Sequence, residues 1–288
     1  MAGSPDGKQD EAGLGASVLN FHSFLHGGTS GLLTTVMVFP VYKTVFRIQI
    51  LNTPVGQTVA QLSREGPLKL YRGVLPPLLM RTLNSTLLFG TQDSLVQQLS
   101  SQKVLPSSAI PAVAGFGAGV VEAVVLAPFE RIQNVLQNSQ NDQHLPTLKS
   151  ILVRLKRQPL ALGFYRAFLP ITVRNALGSS LYFGLKAPMS NTVGEQGFSP
   201  LVSSFITGAL SSMAVSLALY PMAVLVSNMQ AQVGGEAEGV GACWRMLWRS
   251  RQRSVALLYR GGSLIILRSC VTWGIGTAIY DWQQKHSG

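Results

Sequence analysis

Arg174, Arg268 and Glu122 are ionisable side chains inside otherwise apolar runs, near residues 168–190, 263–283 and 107–137 respectively. A charge among such neighbours is costly against lipid, so it faces a polar interior, a counter-charge or a ligand. Guanidinium groups present a planar fork that matches carboxylate and phosphate oxygens. Two arginines facing one acid therefore suit an anionic or zwitterionic small molecule. Glu122 keeps two readings: it lines the same cavity, or it pairs with Arg174 or Arg81 and sets helix packing. Tyr182 and Trp273 likewise either stack on a base or pack helices.

Other chemistry finds little support. No nucleophile and base stand in a recognisable set. Gly115, Gly117 and Gly119 alternate like a phosphate loop, but they lie in an apolar helical run with no preceding strand, so packing accounts for them better. Cys243 and Cys270 are the only cysteines and lack metal-ligand spacing, and His22, His26, His144 and His286 are scattered. No metal, no cofactor and no enzyme activity are expected. The net charge of +11 sits in polar stretches between apolar runs, without the clustered aromatics of a nucleic-acid surface. Membrane lipid is the expected partner of that charge, and nucleic acid is not.

The elements that must position these side chains come in triplicate. Tyr71-Arg72-Gly73 returns as Tyr165-Arg166-Ala167 and as Tyr259-Arg260-Gly261, both times after 94 residues. Pro40, Pro128 and Pro221 keep nearly the same period, preceding those Tyr-Arg pairs by 31, 37 and 38 residues. A unit this long is a sizeable supersecondary structure. The charged share is 12%, against about 25% in soluble domains, and the mean hydropathy is +0.27; both point to a membrane. From Phe21 to Phe39 there are 19 residues without formal charge, enough to cross a bilayer core. Comparable spans follow near 74–99, 107–137, 168–190, 200–230 and 263–283, and Pro40, Pro128 and Pro221 are expected to kink their helices. Thr, Ser, Asn and Gly recur through all of these spans, so polar faces must turn toward each other or toward water.

The expected fold is thus an all-α membrane protein: six transmembrane helices in three pseudo-threefold repeats around a central cavity, with short amphipathic helices between the members of each pair. Residues 1–18 read as a disordered N-terminal tail without the features of a signal or transit peptide. Residues 19–105, 106–198 and 199–288 form the three repeats.

Glu65-Gly66 followed by Tyr71-Arg72-Gly73, together with Pro128-Phe129-Glu130, resembles the signature of the mitochondrial carrier family over residues of about 20–285. Phe39-Pro40-Val41-Tyr42-Lys43, the stretch from Pro128 to Asn134 and the stretch from Tyr259 to Ser269 are most similar to the triple-repeat subgroup that includes the mitochondrial NAD carriers. The resemblance implies a solute transporter of the inner mitochondrial membrane that works by alternating access as a monomer, with both termini in the intermembrane space and the amphipathic helices on the matrix side. It implies substrate contacts at Asn84, Arg174, Asn175 and Arg268, with Met80 at the matching place in the first repeat and Glu122 facing them. A nucleotide or a dinucleotide such as NAD satisfies that set. An amino acid or carboxylate carrier, or a carrier fold that has lost transport and serves as a binding partner, are the alternatives.

The family closes its matrix side with a ring of carboxylates and cations. The carboxylate positions here hold Tyr42, Glu130 and Ala223, and the cation positions Val45, Gln133 and Val226, so Tyr42, Glu130 and Gln133 are the polar remains of a matrix gate. Glu130 then needs a partner from elsewhere, with Arg47, Lys43 or Arg131 in reach by sequence. The opposite, cytoplasmic gate keeps Asp93 and Asp281 without their cations. Cardiolipin is implied at Arg72, Gly73, Arg166, Arg260 and Gly261, with Ala167 replacing glycine in the second copy.

Overall fold

A computed structural model describes residues 32–102, 105–141, 144–195, 197, 200–234 and 239–272 of the 288-residue chain. Every long element among them is helical. The first repeat holds α1 (residues 32–51), α2 (Val55–Glu65), α3 (Pro67–Leu70) and α4 (Leu75–Gln102). The second holds α5 (Ile110–Gln137), α6 (Leu148–Lys156) and α7 (Phe168–Gly194). The third holds α8 (Pro200–Ala218), α9 (Tyr220–Ala231), α10 (Val240–Ser250), α11 (Val255–Leu258) and α12 (residues 262–272). The expected N-terminal tail, the start of the first span and the end of the last lie outside the described residues.

Each short helix between spans is amphipathic in the same way, burying a pair four residues apart: Thr58 and Leu62 on α2, Ile151 and Leu155 on α6, Cys243 and Leu247 on α10. That spacing puts both side chains on one face. α6 also begins with a reciprocal cap, in which Ser150 N–H donates to Thr147 Oγ1 at 3.2 Å and Thr147 N–H donates to Ser150 Oγ at 3.2 Å.

The prolines act unequally. α1 runs through Pro40 and α5 through Pro128 as single helices, whereas the chain breaks before Pro221, where α8 and α9 meet at 65°. Pro221 lies in the first turn of α9, where its missing N–H has no helical partner to lose. By length and composition Ile110–Gln137 and Val255–Thr272 can each cross a membrane, and the bent α8–α9 pair makes a third span. α4 and α7, with 28 and 27 residues, reach about 40 Å at the helical rise but are diluted by polar residues.

Burial is concentrated on α1, α5 and α9. Val38, Phe39 and Ile48, Ala123, Ala127 and Val135, and Tyr220, Val224 and Val226 are all buried. Leu32, Met37, Phe116, Val124, Leu169 and Leu210 are instead exposed, the outward apolar surface that a bilayer covers. α5 and α7 pack closely because α5 carries glycine at the contact. A Cβ on Gly115 would lie 2.6 Å from Ser179 O, and one on Gly119 only 2.4 Å from Asn175 O. Small residues of this kind let helix backbones approach in a membrane, and here they fix the residues beside Arg174.

Candidate functional site

The site is built across the α5–α7 contact. From α7, Arg174 forks onto Glu130 of α5, its Nη1 donating to Oε1 at 2.9 Å and its Nη2 to Oε2 at 2.8 Å. Its other edge is held by its neighbour: Nε and Nη2 donate to Asn175 Oδ1 at 3.0 and 2.8 Å. The pair is largely buried but reachable, with side-chain exposures of 21% for Arg174 and 17% for Glu130. Arg174 also lies within electrostatic range of Glu122. Glu122 sits eight residues before Glu130, about 12 Å up the same helix at 1.5 Å per residue. Its Oε1 accepts from Asn84 Nδ2 of α4 at 3.0 Å. Between the third and first repeats the guanidinium carbon of Arg268, on α12, stands 4.8 Å from the centroid of the Tyr42 ring on α1, a cation–π arrangement.

Asn84, Glu122, Glu130, Arg174 and Asn175 therefore form one polar chain over three helices, and Arg268 with Tyr42 forms a second unit. The ion pair of Arg174 goes to Glu130, and Glu122 acts on Arg174 only at longer range; the side chain of Arg81, the other arginine considered for Glu122, lies outside the described ones. The expectation that Glu130 lacks a cation unless Arg47, Lys43 or Arg131 reaches it is corrected, because all three are committed elsewhere. Arg47 pairs with Glu65, with Nη2 to Oε2 at 2.9 Å. Lys43 donates to the carbonyls of Lys69 and Arg72. Arg131 donates to Gly163 O at 3.1 Å and Gln232 O at 2.6 Å. The cation came from α7, the second span of the same repeat, a partner that local spacing does not announce. Gln133 is half-buried nearly one turn beyond Glu130, Asp93 is exposed on α4, and Asp281 lies outside the described residues. Tyr182 packs edge-on against Phe183 at 5.2 Å, and Trp273 lies outside the described residues.

Below this site the converging helix ends are tied by polar groups that sequence reasoning passed over. Ser227 Oγ donates to Gln49 Oε1 at 2.9 Å, Asn228 Nδ2 to Gln49 O at 2.9 Å, and Asn134 Nδ2 to Gln230 Oε1. Gln49, Gln137 and Gln230 each stand nine residues after a repeat proline, a periodic signal that could have found them. Their partners Ser227 and Asn134 stand six after a proline; the matching residue in the first repeat is Phe46, and the buried Gln137 Nε2 has no hydrogen-bond partner among the described residues. Arg251, on the turn after α10, adds bonds to Asn52 Oδ1, Gln49 O at 2.6 Å and Ile48 O at 3.3 Å, and desolvation lowers its pKa.

The repeated Tyr-Arg pairs complete the closure. Arg72 of the first repeat donates to Leu145 O of the second at 2.7 Å. Arg166 of the second donates to Gly234 O and Gln232 Oε1 of the third, both at 3.0 Å. Arg260 of the third donates to Asn52 O of the first. Each arginine thus clasps the loop after the next repeat's first helix, and the three clasps close a ring. Arg166 is 6% exposed, so the side chains expected to meet lipid headgroups are turned onto protein carbonyls. Gly73 and Gly261 follow two of them with φ of 87° and 92°, and Ala167 follows the third at 65°. The glycines are there because the turn into α4 or α12 needs a left-handed residue.

Comparison with known proteins bears on the whole chain. A family model described as mitochondrial carrier protein matches residues 17–103, 106–196 and 198–287. The human protein named solute carrier family 25 member 53 is 45% identical over 267 residues, covering 91% of this chain and 86% of that protein. The human mitochondrial nicotinamide adenine dinucleotide transporter SLC25A51 is 31% identical over 280 residues, covering 96% and 94%. A probable mitochondrial 2-oxodicarboxylate carrier from Dictyostelium discoideum is 26% identical over 276 residues, covering 92% and 90%.

Proposed function

The chain belongs to the mitochondrial carrier family, and from that premise we propose that it is a solute transporter of the inner mitochondrial membrane, moving an anionic or zwitterionic cargo by alternating access. The cargo class is a nucleotide or dinucleotide such as NAD. Its anionic group is taken by Arg174 and Arg268, its cationic or donor groups by Glu122, and its remaining polar atoms by Asn84 and Asn175. The reading rests on one observation above all: within apolar helices Arg174 lies beside two carboxylates, Glu130 and Glu122, and Arg268 holds the matching position of the third repeat, all four partly buried. Buried charges retained in an apolar bundle without a ligand to serve would be a cost without a return. The likeness to a dinucleotide transporter at 31% identity supports the cargo class.

An amino acid or carboxylate cargo is the second reading, supported by the likeness to a 2-oxodicarboxylate carrier. The replacement of gate residues by Ala223, Val45 and Val226 supports a third, a carrier fold that binds a partner without transport. The transport reading further places both termini in the intermembrane space, and a monomer in the membrane. Cardiolipin sits at the starts of α4, α7 and α12, drawn by the positive ends of those helices while the neighbouring arginines hold protein.

The test is uptake into cardiolipin-containing liposomes preloaded with the same compound, across NAD, ADP, 2-oxoglutarate and arginine. One compound is exchanged by the wild-type protein, and Arg174→Ala and Arg268→Ala each abolish that exchange while remaining folded. Undiminished exchange in both variants removes the site assignment, and no exchange of any compound favours the non-transporting reading.

A further inference from the structure

We propose that Glu130 is an internal competitor for the cargo: its carboxylate occupies the face of Arg174 that the cargo's anionic group must take, so binding and gate release are one exchange reaction. This rests on the transport reading above and specifies how its site is controlled.

The argument begins with register. Arg174 and Arg268 each stand nine residues after a repeat tyrosine, Tyr165 and Tyr259, and Glu130 and Tyr42 each stand two after a repeat proline. The same two positions of the repeat thus meet twice. In the second repeat the arginine finds its partner in its own repeat, Glu130. In the third, the position two after Pro221 is Ala223, which offers nothing to a guanidinium, and Arg268 lies over Tyr42 of the first repeat instead. The gate positions are therefore wired to the cargo-binding arginines rather than to one another.

Geometry makes the competition direct. The Nε edge of Arg174 is held by Asn175 Oδ1 and its remaining fork by both oxygens of Glu130. A cargo carboxylate or phosphate seeks the same fork-to-fork contact, and the edge left to it is the one that Glu130 fills. Displacement breaks the only ion pair found between α5 and α7 among the described residues. It also leaves Glu130 uncompensated on the helix that already carries Glu122. A cargo with both an anionic and a cationic end relieves this, its anion taking Arg174 and its cation lying between Glu122 and the freed Glu130, so charge pairing is conserved. A simple anion leaves Glu130 bare. The wiring thus selects zwitterionic cargo over plain anions.

The experiment measures binding to the full chain in cardiolipin-containing micelles, by calorimetry and thermal shift, with NAD and inorganic pyrophosphate as probes. Glu130→Gln removes the competing charge, and both probes bind more tightly than to wild type, on the order of tenfold, because the competent state no longer has to be freed first. Pyrophosphate gains more than NAD, having no cation to offer Glu130. Glu130→Asp keeps the charge but shortens the reach, and falls between wild type and Glu130→Gln even where the amide variant is hard to fold. Arg174→Gln binds neither probe, and the double variant behaves like Arg174→Gln. If NAD binds wild type and Glu130→Gln binds it no more tightly, the competition is refuted while the site stands. If neither probe binds wild type or Glu130→Gln, the anionic-cargo reading falls and the inference with it.

Discussion

Arg166 is the sharpest test of the carbonyl ring. Its side chain is 6% exposed and makes bonds of 3.0 Å to Gly234 O and to Gln232 Oε1. A hydrogen bond from a charged donor contributes about 1.5–3 kcal/mol net, and truncation to alanine strands two acceptors at a buried junction between repeats. Part of the loss returns as water enters the space, which leaves about 3 kcal/mol. At roughly 2–4 °C per kcal/mol for a chain of this size, Arg166→Ala lowers Tm by about 6–12 °C. The assay is thermal unfolding in micelles with and without cardiolipin. The clasp requires the loss in both conditions, because its acceptors belong to the protein. A loss seen only with cardiolipin present, or a shift below about 1 °C, would refute the reasoning and return Arg166 to the lipid surface.

Two other outcomes follow from local geometry and charge. Ala167 occupies a left-handed backbone position at φ 65° where its counterparts are glycine; that conformation costs an L-residue about 1–2 kcal/mol, partly offset by the greater freedom of glycine in the unfolded chain. Ala167→Gly is therefore stabilising by about 0.5–1 kcal/mol, read as a rise in Tm. Glu65, outside the spans, has its pKa lowered by its side-chain hydrogen bond with Arg47, against an opposing effect of burial. Its ionised form is favoured by folding, so the stability it contributes is present above the ordinary carboxylate range and is lost as pH falls through the depressed folded value. Tm measured from pH 6 down to 3 falls more steeply for wild type than for Glu65→Gln.

The polar residues of the site were legible because charge is rare in these spans. Glu122, Arg174 and Arg268 stand out in apolar runs without any structure, and the 94-residue interval places the two arginines at equivalent depth. Their pairings were not legible. Arg47, Lys43 and Arg131 are closer to Glu130 by motif, yet each is drawn away by an acceptor in a loop or short helix, and Arg174 arrives from 44 residues along the chain. The amide ties were half visible: the glutamines repeat with the prolines, but their pairing with Ser227 and Asn134 shows only when helices from different repeats are brought together.

By itself the sequence determined the threefold plan, the membrane environment, the amphipathic short helices and the identity of the charged side chains, because each of these depends on composition or on a period along one chain. The tertiary structure decided which proline breaks its helix, which cation meets Glu130, and that the Tyr-Arg pairs close onto neighbouring repeats. Those outcomes depend on how far the helices rotate and converge. α5 and α7 approach closely because Gly115 and Gly119 present no side chain at the contact, and that approach is what brings Arg174 within reach of Glu130 before any nearer cation.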